Sequence, residues 1–434
     1  RGITVAFNRF QDFLGGLVAR QRSLFGSNHT PTMDELLSGL MGNTGEVSAI
    51  VAARELLDMY AALGDEDKLA FFVQLEQHYN AEPASVKLAF ENFEAAPNST
   101  NLNRLYRTAE PKRMELLRRL NQTPDATHDL VAMRTDLLRF LKGQPELLSV
   151  DENFASLFRS WFSRGFLLLE NINWSTSAAI LERIIRYEAV HAIKDWKDLR
   201  SRIDPPNRRC FAFFHPALVD EPLIFVEVAL GTEIPGSITS ILEDNADGAL
   251  DVSSFTTATF YSISNCQPGL QNITFGNFLI KQVVQELQHE FPSIKQFVTL
   301  SPVPGFNRWL QKVDDSESEV LTGLKTEFLD SDLEPGALAE KPEVLRKLMF
   351  NYLVQAKRGK YPADPVTRFH LGNGAMLHNV HTDADHSEKG LQQAYGCMVN
   401  YLYDLRHIER NHELYITEGN VDYSDKLKSL LIKP

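Results

Sequence analysis

The spacing of apolar residues changes near Phe166, and this change limits what the chain can fold into more than any other feature of the sequence. Before Phe166, apolar residues recur at intervals of i, i+3 and i+4, which is the spacing of amphipathic helices. The stretches with this spacing are Val5–Leu14, Gly45–Leu63, Glu66–Tyr79 and Pro83–Ala95. Short turns separate them, so residues 1–166 are predicted to form an all-helical bundle. The charged residues between 113 and 119 fit a solvent-exposed face of one helix.

After residue 166 the chain contains short runs of β-branched and aromatic residues. The runs that are typical of buried strands are Arg208–His215, Leu223–Leu230 and Thr257–Ser264. They predict an antiparallel meander, and a last buried strand ends at Tyr403 before a predicted polar tail. Residues 167–434 are therefore expected to form a mixed, mainly antiparallel sheet with helices, which places the chain in the α+β class.

Charge and cysteine content exclude several classes of protein. The formal net charge of −13 argues against nucleic acid as a partner, because that partner needs a basic face and no cluster of Lys, Arg and aromatic residues supplies one. Cys210, Cys266 and Cys397 are far apart and odd in number, which favours a reducing compartment without disulfides or a zinc module. No apolar run reaches the length of about 18 residues that indicates a membrane span. With no signal-peptide pattern and no Ser-Lys-Leu terminus, we expect a cytoplasmic protein of bacterial type.

The stretch from Thr256 to Trp309 has the order strand, loop, helix, strand and turn. Its loop, Leu270–Gly276, opens into a helix predicted from Asn277 to Glu290. The first turn of a helix has unpaired N–H groups and the positive end of the helix dipole, and both attract a phosphate. Lys281, one turn into the helix, adds a full positive charge. The pattern predicts that a phosphate-bearing ligand binds at this loop.

Ser301 follows the next predicted strand, Gln296–Leu300, and precedes a sharp Pro-Val-Pro-Gly turn. In open α/β sheets, ligands are bound at this end of a strand. Taken alone, Ser301 is more typical of a turn. His370, one of 12 histidines, is by itself more typical of a structural or surface position.

Two other groups of residues could carry chemistry, but their patterns favour structural roles. The cluster of metal-binding residue types is His378, His381, Asp383, Asp385 and His386. Its spacing lacks an i, i+4 helical pair with a third fixed ligand, so we expect a polar loop and no metal. Cys266 and Cys397 lie in apolar surroundings without a neighbouring histidine motif, which favours buried thiols.

The motifs of the second half, taken in chain order, resemble one known family. They are Arg208-Arg-Cys-Phe-Ala-Phe-Phe-His215, Glu221-Pro-Leu-Ile-Phe-Val-Glu-Val-Ala-Leu230, Phe260-Tyr-Ser-Ile-Ser264, Gly269-Leu-Gln271, Gly276-Asn-Phe-Leu-Ile-Lys281, Leu300-Ser-Pro-Val-Pro-Gly-Phe306 and Phe369-His-Leu-Gly-Asn-Gly-Ala375. Together they look like the catalytic half of malonyl-CoA decarboxylase, and the similarity extends from residue 170 to residue 405. Thr274 departs from an acidic residue of some family members, and Gly372 replaces a Gln of the histidine motif.

The resemblance implies a GNAT-like (Gcn5-related acyltransferase) catalytic domain over residues 167–434 and a Ser/His pair at Ser301 and His370. It also implies that residues 1–166 assemble a homo-oligomer, a dimer or tetramer. A CoA thioester is expected at the loop before the long helix. The residues predicted to bind substrate are Gln271, Asn272, Ile273, Thr274, Phe275, Gly276, Asn277, Lys281 and Tyr403.

The implied reaction converts malonyl-CoA to acetyl-CoA and CO2 through an enolate, for which neither a metal nor an organic cofactor is required. Ser301 is expected to orient the departing carboxylate, and His370 to polarise Ser301 or to protonate C2 with an ordinary pKa of about 6.5. Backbone N–H groups in the 271–277 loop are candidate donors to the enolate oxygen.

Two alternatives compete with this interpretation. One is an N-acyltransferase that uses acetyl-CoA, as a GNAT-like fold alone would suggest, although fold is a poor guide to reaction. The other is a non-catalytic sensor of CoA thioesters, which would bind tightly without turnover.

Overall fold

The computed structural model describes residues 31–42, 45–243, 251–273, 278–313, 318–329 and 341–432. The predicted helix Val5–Leu14 and the predicted loop residues 274–277 lie outside these ranges. The chain divides into two compact units. The first contains residues up to Leu168 together with Phe214–Glu221 and Gln267–Phe275, and the second contains the remainder.

The first unit is helical, and its sequence signals explain where several helices begin. The side chain of Thr32 caps the first helix in a capping box with Glu35, Pro83 occupies the first turn of the fourth, and Asn98 caps the fifth. The helices are α1 Met33–Met41, α2 Glu46–Ala61, α3 Asp65–His78, α4 Pro83–Ala95, α5 Ser99–Ala109, α6 Lys112–Leu120, α7 Ala126–Phe140 and α8 Leu148–Trp161.

Aromatic residues fill the core of the helical unit. Phe72 contacts the rings of Tyr60, Phe71 and Phe154 in tilted or edge-to-face geometry, with centroids 5.8 to 6.4 Å apart. Arg113, predicted to be solvent-exposed, is instead 2% exposed and donates to the side chain of Asn80 at 2.8 Å. That part of the prediction is wrong, because periodicity does not show that a neighbouring helix supplies buried acceptors.

The second unit is built on one mixed sheet. Its strands are β1 Leu168–Ile172, β2 Arg208–Phe214, β3 Pro222–Gly231, β4 Thr257–Asn265, β5 Gln296–Thr299, β6 Ser301–Pro302, β9 Met376–His381 and β10 Met398–Leu402. They lie in the order β1-β2-β3-β4-β5-β10-β6, and β9 also pairs with β10. A separate hairpin joins β7 Lys357–Arg358 to β8 Tyr361–Pro362.

The sheet is mainly antiparallel, as predicted. β3 pairs with β4 antiparallel, and β10 pairs antiparallel with β5, β6 and β9. β4 and β5 are parallel from Thr257↔Gln296 to Phe260↔Thr299. A helix connects these two strands, which is the connection that parallel neighbours require.

Helices accompany the sheet throughout the second unit. They are α9 Ala178–Tyr187, α10 Trp196–Ile203, α11 Ile238–Leu242, α12 Phe278–Glu290, α13 Phe306–Leu310, α14 Glu319–Leu329, α15 Pro342–Gln355, α16 Pro365–Gly372, α17 Glu388–Ala394 and α18 Ile408–Glu418. The segment after Tyr403, predicted as a polar tail, forms α18 and a short 3-10 helix at Asp425–Leu430.

The α+β class and the order of helical region and mixed sheet are confirmed. The GNAT-like character of the sheet stays a prediction. No helix in the described ranges combines the length and apolar character that crossing a membrane requires.

Candidate active site

Ser301 lies where two parallel strands separate. The ladder between β4 and β5 ends with Phe260↔Thr299, and Leu300 then donates its N–H to the carbonyl of Phe260 at 3.0 Å. Beyond this point β4 continues beside β3, whereas β6 pairs with β10 through Val399↔Ser301. Pro302 cannot donate to a ladder, which helps to end the strand there. Ser301 is thus 6% exposed at a fixed position beside this divergence.

His370 is carried by α16, and the start of that helix is fixed by its sequence. The side chain of Asp364 accepts from the N–H of Thr367 at 2.8 Å, and Pro365 occupies the first turn. His370 lies in the last turn, where its Nε2 is 3.1 Å from Oγ of Ser301. The structure therefore brings together the two side chains that the sequence singled out.

The surroundings of His370 hold its ring on both sides. The hydroxyl of Tyr403 is 2.8 Å from Nδ1, and the ring of Tyr401 stacks on the imidazole at a centroid distance of 4.5 Å. His370 is 2% exposed, and burial lowers its pKa to about 3. The expected pKa of about 6.5 is therefore wrong, and the ring is neutral at neutral pH.

The hydrogen bonds assign one tautomer to this neutral ring. Oγ of Ser301 donates to Oγ1 of Thr299 at 2.9 Å, so Ser301 can accept a hydrogen bond from Nε2–H of His370. The buried Tyr403 hydroxyl then donates to Nδ1, which satisfies both groups. The hydrogen bonds thus form a chain in which Tyr403 donates to His370, His370 donates to Ser301, and Ser301 donates to Thr299.

Several residues that local sequence did not indicate support the pair. Oγ1 of Thr299 also accepts from the N–H of Tyr401 at 3.2 Å, and the Tyr401 hydroxyl contacts Oγ1 of Thr367 at 2.8 Å. Thr367 in turn donates to Asp364 at 3.0 Å. Thr299 could have been found, because residues two apart in a strand share a face of the sheet.

The predicted binding loop is only partly described. Gln271, Asn272 and Ile273 belong to the first unit, whereas Thr274, Phe275, Gly276 and Asn277 lie outside the described residues. The N–H groups of Gln271 and Ile273 donate to the carbonyls of Pro268 and Leu270, each at 3.0 Å. These two groups are therefore occupied within the loop.

A buried arginine of the helical unit holds the start of this loop. Arg134, on α7, is 1% exposed and donates to the carbonyls of Gly269 at 2.7 Å and Gln271 at 3.0 Å. Its Nε is 2.7 Å from a carboxylate oxygen of Asp151. Gly269 permits close packing here, because a Cβ would lie 2.0 Å from the carbonyl oxygen of Val131.

The other predicted binding residues are both in the second unit. Lys281, on α12, forms an ion pair with Glu409 of α18, so its charge already has a partner. Tyr403 directs its hydroxyl to His370 as described above.

The cluster considered for a metal is divided between a strand and a loop. His378 and His381 lie on β9, whereas the exposed side chains of His386 and Asp383 contact each other at 2.6 Å in the following loop. Across the described ranges, no group of three or more His, Cys, Asp or Glu side chains could hold a metal ion.

Comparison with protein families gives matches along most of the chain. Residues 79–162 match the malonyl-CoA decarboxylase N-terminal domain, and residues 165–434 match the malonyl-CoA decarboxylase C-terminal domain. The mitochondrial malonyl-CoA decarboxylase of Anser anser anser is 34% identical over 351 residues, which cover 74% of this chain and 69% of that protein. The Rattus norvegicus protein of the same description is 33% identical and covers 80% and 76%.

Two crystal structures are also similar to the chain. Malonyl-CoA decarboxylase from Rhodopseudomonas palustris is 44% identical, with a TM-score of 0.86. That from Agrobacterium vitis is 44% identical, with a TM-score of 0.85. Each alignment covers 92% of this chain and 100% of the other.

Proposed function

This chain belongs to the malonyl-CoA decarboxylase family, and from that membership we propose that it is a carboxy-lyase that converts malonyl-CoA to acetyl-CoA and CO2. We assign the catalytic roles to Ser301 and His370. The observation that supports this assignment is the 3.1 Å contact between these buried side chains, which are 69 residues apart in the sequence.

The first requirement of the reaction is that the substrate carboxylate is oriented relative to the thioester carbonyl. In the proposed step, the bond between C2 and the carboxylate breaks, CO2 leaves, and the electron pair moves into the thioester carbonyl to form an enolate. In this step the Ser301 hydroxyl turns from Thr299 to donate to the carboxylate, and it holds that group out of the carbonyl plane so that the breaking bond overlaps the π system. Ser301 is suited to this because its backbone is fixed by β10 and its oxygen is held by His370, which leaves the hydroxyl proton able to turn to the substrate.

C2 must then receive a proton. Because the His370 ring is neutral, it cannot act as an imidazolium ion; the available protons are those on Nε2 and on the Ser301 hydroxyl. We propose that the pair delivers one of these protons to C2 and recovers it from solvent after product release. Tyr403 keeps Nδ1 occupied as an acceptor, which leaves Nε2 as the nitrogen that carries the proton toward Ser301.

The CoA end of the substrate is proposed to bind at the loop and at the start of α12. The residues proposed for this role remain Gln271, Asn272, Ile273, Thr274, Phe275, Gly276, Asn277 and Lys281. The support is the preference of phosphates for a helix start. Lys281 must exchange Glu409 for a phosphate in order to contribute its charge.

We also propose that the helical unit assembles a homo-oligomer. Its α4 and α5 expose large apolar side chains that a monomer would leave in water. These are Leu88, Phe90, Leu102 and Tyr106, which are 50% to 75% exposed. A cytoplasmic location is part of the proposal, and it is supported by the three cysteines, which are buried and are not joined by disulfides, as fits a reducing compartment.

Product analysis tests the proposed reaction. Incubation with malonyl-CoA in the absence of any amine should yield acetyl-CoA and CO2, which mass spectrometry can follow. An N-acyltransferase or a CoA-thioester sensor would yield neither product.

Two variants test the residue assignment. Ser301→Ala and His370→Ala should each lower kcat by about 10²- to 10⁴-fold, the usual range for a positioned proton donor or acceptor. His215→Ala, which changes another buried histidine, is the matched control and should retain turnover if it folds. Wild-type turnover by His370→Ala would reject the assigned pair.

A further inference from the structure

A cluster of basic side chains lies in the second unit, outside the candidate active site. The members of this basic cluster are Arg346 of α15, His378 and His381 of β9, and Lys426 of the 3-10 helix. Nζ of Lys426 is 3.1 Å from Nε2 of His378. Arg346 is fixed on β9, since its guanidinium donates to the carbonyl of Val380 at 3.1 Å and to Oδ1 of Asn379 at 2.9 Å.

The basic cluster has no compensating carboxylate among the residues that the structure describes. There, Arg346 and Lys426 form no ion pair, whereas Lys428 nearby is 2.7 Å from Asp425. Burial and then Arg346 lower the pKa of Lys426, and burial, Lys426 and His381 lower the pKa of His378 to about 4. In a chain with a formal charge of −13, this is a local concentration of uncompensated positive charge.

The partners that these groups do have are neutral. Val380 and Asn379 offer a carbonyl and an amide oxygen to Arg346, and the neutral ring of His378 can accept one hydrogen bond from Lys426. The remaining ammonium N–H groups and the Nη1 group of Arg346 have further capacity to donate. Lys426 is exposed, so a ligand can reach the cluster from solvent.

We propose that the basic cluster binds a phosphate group. A phosphate supplies two negative charges and several acceptor oxygens, which match the charges of Arg346 and Lys426 and the fork of the guanidinium. The phosphate can be carried by a nucleotide-bearing ligand such as a CoA thioester, or it can be a free anion. The first source rests on the proposed function, whereas the second is independent of it.

Titration of inorganic pyrophosphate into the full chain tests the site. Calorimetry at low salt should detect binding to the wild type, and Lys426→Ala should weaken it by about tenfold or more, as expected for the loss of one charge-assisted contact. Lys428→Ala is the matched control, because it removes an equal charge from the same helix and should leave the affinity unchanged. Absence of binding to the wild type, or equal loss in both variants, would overturn the proposal.

The source of the phosphate is decided by comparing CoA with 3′-dephospho-CoA in the same titration. If the cluster holds the 3′-phosphate of the substrate, CoA should bind more tightly than 3′-dephospho-CoA, and Lys426→Ala should abolish that difference and raise KM without changing kcat. If the site serves a free anion, pyrophosphate should still bind at saturating CoA and KM should be unaffected by Lys426→Ala. Either result supports a phosphate site. Because the pyrophosphate titration requires no turnover, its failure would leave the proposed decarboxylation intact.

Discussion

At the scale of single residues, the feature with the most chemical consequence is the neutral state of His370. A histidine with its ordinary pKa would be partly charged near pH 6.5, but burial lowers the pKa of this ring to about 3. The protonated ring therefore makes no contribution at neutral pH, and the direction of the hydrogen bonds determines how the pair works. Those bonds begin at Tyr403, whose hydroxyl is 2.8 Å from Nδ1 of His370.

Tyr403→Phe should lower kcat by about fivefold with KM unchanged, because it removes one hydrogen bond worth about 1 kcal/mol and leaves the ring free to adopt the other tautomer. Steady-state kinetics with malonyl-CoA measures both constants. Tyr401→Phe is the control, since it keeps the ring that stacks on His370 and loses only the contact with Thr367. A rise in KM for Tyr403→Phe with constant kcat would instead mean that its hydroxyl contacts substrate.

Ser301 and His370 could be found from sequence only as separate motifs. Each is ambiguous alone, and it was the resemblance of the ordered motifs to the malonyl-CoA decarboxylase family that implied a pair. The contribution of Thr299 and Tyr401 was not predicted, because it depends on β10 lying beside β5 and β6, and strand order is not written in local sequence. The lowered pKa of His370 was missed for the same reason, since it results from burial by distant residues.

At the scale of elements, helix and strand signals were reliable where the hydrophobic period was regular. The predicted helix at Pro83–Ala95 has those bounds in the structure, and the predicted helix after the loop begins at Phe278. The burial of charged residues did not follow from the same signals. Arg113 and Arg134 both lie on helices with ordinary charged patterns, yet both are buried because carbonyl or amide oxygens from elsewhere in the first unit accept their hydrogen bonds.

Arg134→Met should destabilise the protein by about 3 kcal/mol or more, because it leaves the carboxylate of Asp151, 13% exposed, without this ion-pair partner and frees two loop carbonyls. The midpoint of urea unfolding, followed by circular dichroism, measures the change. On the same helix, Arg139→Met removes a guanidinium that is 51% exposed and pairs with Asp65 and Asp136. Asp136 keeps its pair with Lys68, so the change should cost less than about 1 kcal/mol. Equal shifts for the two variants would show that the buried contacts of Arg134 contribute little.

At the scale of the whole molecule, the exposed apolar side chains of α4 and α5 bear on the state of association. In α5 no residue is buried, so its apolar side chains contribute little to stability unless another surface covers them. From sequence, the apolar spacing of Pro83–Ala95 was interpreted as that of one helix in a bundle. Periodicity reports that a face is apolar and does not report whether the same chain or another copy covers it.

Tyr106→Glu should shift the protein to a smaller assembly, because it places a charge on a side chain that is 75% exposed and is proposed to be covered by another copy. Sedimentation velocity over a range of protein concentrations measures the shift. Arg104→Gln is the control, as it makes the same change in net charge about half a turn away on α5 and should leave the distribution unchanged. If the wild type sediments as a monomer at all concentrations, the proposed assembly is wrong.

The first unit takes up three separate portions of the chain, and its packing depends on all of them. The ring of Phe162 packs on His215 at a centroid distance of 4.8 Å, and Arg134 needs the carbonyl of Gly269. A gene cut near residue 166 would therefore encode a helical fragment without two of its own pieces. Recombination at that point would separate residues that pack together in the first unit, so the two parts of the gene are expected to be inherited together.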